Sequence, residues 1–186
     1  MKDKVEDIKR AIESGAYLSA LALALTLPDI CSKIAYGKSE KQGYSKWFNE
    51  YVAPNYFPDF NAIEKIWGNT EEAPPGRSDW PVFDGAACYK LRCSVLHSGN
   101  VDIGSQKAID IQHFELFVSG MDLPGCGPSL GRWVHSSPGE DDRIEKRMRI
   151  DVKNLCHALA QAAIEFYAKH DDKSAFEEHS IELRRF

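Results

Sequence analysis

The segment that decides the fold is residues 81–100, PVFDGAACYKLRCSVLHSGN. Its apolar residues recur every three or four positions, as on one face of a helix. They are Val82, Phe83, Ala86, Ala87, Leu91 and Val95. Asp79 is predicted to cap this helix, which begins near Pro81, where the N–H that proline lacks is not needed. Residues 98–100 are predicted to end it with a glycine C-cap.

The N-terminal segment has the same helical spacing, from Val5 to Leu27. Gly15 is predicted to break this long helix in two, and Pro28 to kink or end it, with Asp29 capping a continuation. Between residues 18 and 25 both faces are apolar. A helix of this kind is buried on both sides, either by its own domain or by a second copy of the protein.

The remaining chain alternates between helical and strand patterns. Residues 39–52 place five apolar side chains on one helical face, namely Tyr44, Trp47, Phe48, Tyr51 and Val52. Residues 54–78 are rich in proline and glycine and are predicted to be a long connection. Residues 109–152 alternate with a period of two and are predicted to be a β insertion, and a last helix follows from Asp151 to His170. Residues 171–186 form a charged tail.

These patterns predict one mainly α-helical domain over residues 1–186, with a small antiparallel β-hairpin or a three-stranded insertion. The 186 residues are enough for one core and too few for two comfortable ones. The net charge of −5 restricts any contact with nucleic acid to a local patch. Five cysteines without a C-x-x-C pair favour a reduced, cytoplasmic protein. The apolar run at residues 16–27 is shorter than the roughly 20 residues that span a bilayer, and no secretory signal is expected, so no membrane contact is predicted.

Arg92 and His97 are the candidate catalytic residues. On an ideal α-helix, five steps of about 100° leave their side chains roughly 140° apart, so one helix alone would splay them. Two copies packed about a twofold axis could bring both pairs into one cleft. A neutral imidazole can take the proton of a ribose 2′-OH, and a guanidinium can stabilise the phosphorane, so RNA cleavage would need no metal and no cofactor.

The stretch from Leu91 to Gly99, LRCSVLHSG, resembles the HEPN domains, and the stretch LTLPDIC at residues 25–31 resembles a segment that accompanies it. The HEPN signature is an arginine followed, after four to six residues, by a histidine, which Arg92 and His97 match. The resemblance implies a HEPN-like helical bundle that forms a homodimer, with RNA as substrate. Many such proteins are ribonucleases of toxin–antitoxin or defence systems, which implies a cognate antitoxin or another partner protein.

Residues flanking this motif complete the predicted site. Lys90, Ser94 and Asn100 are its predicted binding residues. Cys93 departs from the polar residue that follows the arginine in many nuclease members. The family also contains members without catalysis, so the alternative is a catalytically silent helical module for dimerisation or interaction. Helix C-termini also favour cations, which could place Arg92 and His97 there without any function.

Other motifs favour structure over chemistry. Several cysteines and histidines could in principle bind zinc, but no two of them have the short spacing of structural zinc sites. They are Cys88, Cys93, Cys126, Cys156, His113, His135 and His157. Core packing of the cysteines and no bound metal are therefore predicted. A Cys93 nucleophile paired with His97 and base stacking by the aromatic residues of 44–51 are weaker alternatives. The basic run from Arg143 to Arg149 is nearly balanced by acidic neighbours and is predicted to be a solvated turn.

Overall fold

A computed structural model describes residues 1–37, 40–56, 83–99, 113–118, 134–138 and 144–179. The protein is mainly helical, as predicted, and carries a small sheet. The α-helices are α1 (Lys2–Glu13), α2 (Tyr17–Ala24), α3 (Leu27–Tyr36), α4 (Lys41–Trp47), α5 (Ala53–Tyr56), α6 (Gly85–Cys93), α7 (Val152–Lys169) and α8 (Ser174–Glu177). Two π-helical turns, Phe48–Val52 and Ser94–Ser98, extend α4 and α6.

The N-terminal apolar segment forms three helices. Gly15 separates α1 from α2 with a φ of 77°, a left-handed conformation that favours glycine, so the predicted break is confirmed. Pro28 lies in the first turn of α3, where proline fits. The helix is interrupted before it, at Leu25 and Thr26. Asp29 lies inside α3 and does not cap it, so the predicted capping role of Asp29 is wrong.

Helix α7 forms the centre of the core. It packs against α1, α2 and α3, and many of its inward-facing residues are alanines, which let the helices approach closely. Its predicted inner face is confirmed by the burial of Leu155, Leu159, Ala162 and Phe166. Asp151 caps α7 by accepting a hydrogen bond from the Asn154 amide at 3.3 Å. The predicted span of this last helix is therefore confirmed to within a residue at each end.

The predicted aromatic face of α4 is also confirmed. Tyr44, Trp47, Phe48 and Val52 are fully buried, and Tyr51 is half-buried. The Trp47 ring stacks on Tyr51 with centroids 5.4 Å apart. This face joins α4 to α7 because Phe166 meets the Trp47 ring edge-on at 5.9 Å.

Helix α6 starts later than its sequence predicts. Asp84 caps it by accepting from the Ala87 amide at 2.9 Å, and Phe83 and Asp84 are not helical. The predicted start near Pro81 is therefore wrong, because Asp84 and the glycine after it supply a stronger helix start. At Gly85 the helix touches α4 so closely that a Cβ would lie 2.1 Å from the Ser45 carbonyl oxygen. The predicted glycine C-cap is confirmed, since Gly99 has a φ of 63°.

Strands β1 (His113–Phe117), β2 (Val134–Pro138) and β3 (Ile144–Asp151) form a sheet of order β1-β3-β2. Strands β1 and β3 are parallel, and β2 lies antiparallel on the other side of β3. The sheet has the three strands of the predicted insertion, but the prediction that all of them are antiparallel is wrong, because β1 runs in the same direction as its neighbour β3. The face formed by Phe114, Met148 and Ile150 is buried.

Part of the predicted charged tail packs on the domain. Phe176 of α8 is buried and meets Phe166 and Tyr167 edge-on. The ammonium of Lys173 donates to three carbonyl oxygens at the end of α7, which satisfies groups that a helix end leaves open. The predicted connection at 54–78 lies outside the described residues from position 57 onward, and the tail lies outside them from position 180.

The stretch Tyr17–Tyr36, which covers α2 and α3, is long and apolar enough to cross a membrane by length and composition alone. In the structure its two helices pack against α1, α4 and α7, as core helices do. Leu21 and Leu25 are fully buried in the core of the chain itself, whereas Leu18, in the first turn of α2, is 67% exposed. This packing is compatible with a soluble protein.

Candidate functional site

The candidate site is built on the end of α6, where the helix widens into the π-helical turn Ser94–Ser98. In a π-helix the backbone bonds join residues five apart, so one turn brings residues i and i+5 onto the same face. Arg92 and His97 have this spacing: Arg92 lies in the last turn of α6, and His97 lies in the π-helical turn. The 140° separation expected for an ideal α-helix therefore does not hold, and the two side chains meet within one chain.

Arg92 and His97 are in direct contact. The Arg92 Nη1 atom lies 2.7 Å from His97 Nε2. A guanidinium can only donate hydrogen bonds, so Nε2 accepts and the ring carries its proton on Nδ1. The acceptor nitrogen of the imidazole therefore faces the guanidinium. His97 is exposed, and the Arg92 side chain is 21% exposed.

Asp29 completes the site from α3. Its Oδ2 atom accepts from Arg92 Nε at 3.1 Å, and its side chain is 18% exposed. A charge-assisted hydrogen bond of this kind fixes the plane of the guanidinium. Sequence reasoning missed this role and assigned Asp29 to a helix cap. The only sequence signal was the LTLPDIC stretch, which the HEPN resemblance paired with the Arg92 motif without giving Asp29 a function.

The pKa values of both members of this pair are shifted upward, for different reasons. Burial raises the pKa of the Asp29 carboxyl, while the charges of Arg92 and His97 oppose that rise. Burial lowers the pKa of Arg92, but the charge and hydrogen bond of Asp29 together with the effect of Cys93 outweigh it, and the net direction is upward. The guanidinium therefore stays charged at neutral pH.

A layer of aromatic residues supports the site from below. The Tyr44 hydroxyl donates to the Leu25 carbonyl at 3.2 Å, where the break between α2 and α3 leaves that oxygen open. The ring of Tyr44 also meets Tyr89 edge-on, with centroids 5.3 Å apart. Tyr89 in turn lies under Arg92, whose guanidinium carbon is 5.9 Å from the ring centroid. The position of the guanidinium is thus connected to the buried core.

Cys93 occupies the edge of the site. It is partly exposed, and it acts on the pKa values of both Tyr89 and Arg92, which it raises. The other described cysteines, Cys31, Cys88 and Cys156, are buried and form no disulfide. Burial raises the pKa of Cys88 and of Cys156 to about 12, which keeps these thiols protonated. Their position in the core agrees with the predicted packing role.

The predicted binding residues do not all reach the site. Lys90 is partly exposed on α6, two residues before Arg92. Ser94 begins the π-helical turn and is only 5% exposed, so its side chain is not presented to a ligand. Asn100 lies outside the described residues. Of the predicted residues with described side chains, the structure brings together Arg92 and His97 and adds Asp29.

Among the described residues, no three His, Cys, Asp or Glu side chains cluster closely enough to bind a metal ion. Cys126 lies outside the described residues, as does the side chain of His135. The groups that meet at the candidate site are a guanidinium, an imidazole and one carboxylate. The guanidinium suits this site to an anionic substrate.

Comparisons of the chain with family models, with curated proteins and with solved structures returned no match. The site itself combines a histidine with an oriented arginine at the surface of a helical domain.

Proposed function

We propose that this chain is a HEPN-like, metal-independent endoribonuclease that acts as a homodimer. The observation that carries the proposal is the 2.7 Å contact between Arg92 Nη1 and His97 Nε2, with Asp29 orienting the arginine. A base and an anion-binding group thus lie side by side at an exposed position. A purely structural cation pair at a helix end would not need this contact.

The chemistry follows from these two groups. When the guanidinium turns from His97 to the phosphate, the lone pair of His97 Nε2 is released, takes the proton of the ribose 2′-OH, and the 2′ oxygen attacks the adjacent phosphorus. The bond to the 5′ oxygen breaks, and that oxygen takes a proton from an imidazolium or from water. The guanidinium has five N–H donors, more than its contacts to Asp29, His97 and Cys93 require, so some remain for the phosphorane oxygens. The products are a 2′,3′-cyclic phosphate and a 5′-hydroxyl.

A homodimer would supply the second proton donor. Two copies of α6 about a twofold axis would place a second His97 near the leaving oxygen. Leu18 supports such an association, because it is a large apolar side chain left 67% exposed on α2. Leu18→Lys is expected to shift the mass measured by light scattering from dimer to monomer while the protein stays folded. An unchanged dimer mass would show that α2 does not form the interface.

RNA cleavage by purified protein tests the catalytic proposal. Arg92→Ala and His97→Ala are each expected to reduce the cleavage of single-stranded RNA by about 10²–10⁴-fold, the range of acid–base and electrostatic terms. Arg10→Ala is the matched control, since Arg10 is exposed on α1 and, among the described residues, pairs with Glu6 and Asp7 of the same helix. Addition of EDTA is expected to leave cleavage unchanged. Cleavage that EDTA abolishes and that both substitutions leave intact would refute the mechanism.

A catalytically silent interaction module is the second candidate. The observation that favours it is the Asp29–Arg92 ion pair, because a carboxylate at 3.1 Å partly neutralises the charge that would hold a phosphate. Cys93 beside Arg92 favours it as well, since the thiol replaces a polar neighbour. Such a module would bind a partner protein, such as a cognate antitoxin of a defence system, in the cytoplasm. Absence of RNA cleavage by the folded dimer would decide for this candidate.

A further inference from the structure

Tyr89 is an aromatic side chain at the candidate site that the proposed chemistry does not use. It lies three residues before Arg92, so the two side chains share one face of α6. The Arg92 guanidinium carbon lies 5.9 Å from the centroid of the Tyr89 ring. This ring is partly exposed, whereas the rings of Tyr44, Trp47 and Phe48 are fully buried. Their burial excludes base stacking by those three rings and directs attention to Tyr89.

The orientation of the Tyr89 ring is fixed from below. Tyr44 meets it edge-on, with centroids 5.3 Å apart and ring planes inclined by 71°. Tyr44 is itself held in the core, because its hydroxyl donates a hydrogen bond to the Leu25 carbonyl. A tyrosine has only two side-chain torsions, and packing of this kind restricts them before a ligand arrives. A preorganised ring therefore loses little conformational entropy when a second aromatic system stacks on it.

The Tyr89 ring is uncharged at neutral pH. Burial raises the pKa of its phenol, and Cys93 raises it further, while the charge of Arg92 opposes the rise. The phenol therefore keeps its proton, and no phenolate repels the phosphates of a nucleic acid. An uncharged ring beside a guanidinium presents one group for a nucleobase and one for a phosphate.

The charge of the chain favours a contact of this kind. A net charge of −5 gives the protein no general attraction for RNA, so binding has to come from local groups. Stacking of one base on an aromatic side chain contributes about 5- to 150-fold in affinity and depends little on which base it is. A base in a duplex is stacked on its neighbours, whereas an unpaired base can be splayed out onto a protein ring.

We propose that Tyr89 is the specificity-determining residue of this site, and that an unpaired nucleobase beside the scissile phosphate stacks on its ring. This proposal rests on the proposed ribonuclease function and names its substrate class. The substrate is RNA with an unpaired base at the cleavage position, whichever base that is. Stacking on Tyr89 holds the nucleotide so that its phosphate lies at Arg92. Duplex RNA is excluded because it offers no unpaired base.

Steady-state cleavage of a short single-stranded RNA tests the proposal, with and without the base at the position that the wild type cleaves. Tyr89→Leu is expected to raise KM by about 5- to 150-fold, with kcat little changed because Asp29 still orients the Arg92 guanidinium. Tyr89→Phe keeps the ring and is expected to behave as the wild type. Removal of the base is expected to cost the wild type a similar factor and to cost Tyr89→Leu nothing further. Tyr17→Leu is the matched control, since Tyr17 is a partly exposed tyrosine on α2 outside the site.

Three results would overturn the proposal. The first is an equal loss from base removal in the wild type and in Tyr89→Leu, because a ring that only supports Arg92 acts independently of the base. The second is a fall in kcat alone. The third is a change from dimer to monomer mass in Tyr89→Leu, which would place the ring in an interface between two copies.

A binding measurement separates this proposal from the ribonuclease proposal. Its probe is a labelled RNA with a 2′-deoxy nucleotide at the cleavage position, which lacks the attacking hydroxyl, and fluorescence anisotropy follows its binding. Weaker binding by Tyr89→Leu, without any cleavage by the wild type, would support stacking and refute the ribonuclease. Cleavage with KM and binding unchanged in Tyr89→Leu would refute stacking and leave the ribonuclease standing. Neither binding nor cleavage would refute both.

Discussion

The two π-helical turns described in this structure have the same backbone irregularity but different surroundings, one in the core and one at the surface. The turn Phe48–Val52 extends α4 and buries both of its terminal side chains in the aromatic core. The turn Ser94–Ser98 extends α6 and leaves His97 exposed beside Arg92. In the first turn the widened helix packs against Phe83 and the core, whereas in the second it aligns two reactive side chains at the surface.

This difference shows what a π-helical turn contributes to a site. The wider turn brings residues five apart onto one face, which an α-helix does not do. Where those residues are apolar, as Trp47 and Val52 at the first turn are, the result is packing. Where they are charged or titratable, and a carboxylate such as Asp29 meets them from another helix, the result is an oriented pair. The site therefore depends on α3 as well as on α6.

The largest expected effect comes from breaking the packed turn. Phe48 is fully buried and meets Phe83 edge-on at 5.8 Å. Phe48→Ala is expected to lower the free energy of unfolding by about 3–5 kcal/mol, because it removes a large buried ring and leaves a cavity. Urea denaturation followed by circular dichroism measures this loss. Lys41→Ala, at an exposed position of the same helix, is expected to stay within about 0.5 kcal/mol of wild type. A loss below about 1 kcal/mol for Phe48→Ala would contradict the packing role.

The next largest effect concerns the anchor of the exposed turn. Asp29→Ala frees the Arg92 guanidinium to rotate away from His97, and it is expected to reduce RNA cleavage by about 10²-fold, the usual cost of a misplaced group. Asp29→Asn keeps an oxygen acceptor for Arg92 Nε and is expected to restore much of the rate. The loss is expected mainly in kcat, with KM and the melting temperature little changed.

A merely structural role for Asp29 predicts a different pattern. In that case Asp29→Ala would lower the melting temperature and the amount of folded protein without changing the kcat of the folded fraction. The double variant with Arg92→Ala gives a second check, because residues that act as one unit show losses that do not add. An additive loss in the double variant would contradict the anchoring of Arg92 by Asp29.

A smaller effect tests the contact that joins the two regions. Gly85 lies where α6 crosses α4, and a Cβ would fall 2.1 Å from the Ser45 carbonyl oxygen. Its amide also donates to Asn49 Oδ1, in the first π-helical turn, at 2.8 Å. Gly85→Ala forces backbone apart and is expected to cost about 1–3 kcal/mol of unfolding free energy, measured by urea denaturation. Ala86→Gly, at the neighbouring half-buried position, separates this effect from helix propensity, which costs about 1 kcal/mol. A neutral Gly85→Ala would show that the two helices can separate freely.

Local signals in the sequence were sufficient for most of the helical fold. Apolar spacing predicted the inner face of α7, the aromatic face of α4 and the break at Gly15, because each depends on neighbours within a few turns. Strand alternation predicted strands near Phe114, Val134 and Met148, but it carries no information on which strand lies in the centre. It also carries no information on strand direction, so the sequence pattern could not give the parallel pairing of β1 and β3.

The candidate site was predictable only in part, for a geometric reason. The spacing of Arg92 and His97 identified the pair, but ideal α-helical geometry separated the two side chains. A π-helical turn depends on tertiary packing, and no residue type in the turn Ser94–Ser98 predicts it. Asp29 lies 63 residues from Arg92 along the chain, so only the packing of α3 beside α6 reveals its partner.

The smallest effect is chemical and sharpens the contrast between the open turn and the closed core. Iodoacetamide at pH 8 is expected to modify Cys93 well before Cys31, Cys88 and Cys156. Cys93 is partly exposed beside a guanidinium, whereas burial raises the pKa of the other three thiols and withholds the reactive thiolate. Peptide mass spectrometry at successive times measures each rate, and Phe48→Ala is the matched variant that loosens the core. In that variant Cys88 is expected to react faster while Cys93 keeps its rate. Equal rates for Cys93 and Cys88 in the wild type would mean that α6 opens as a unit, and that the order at Arg92 and His97 does not persist in solution.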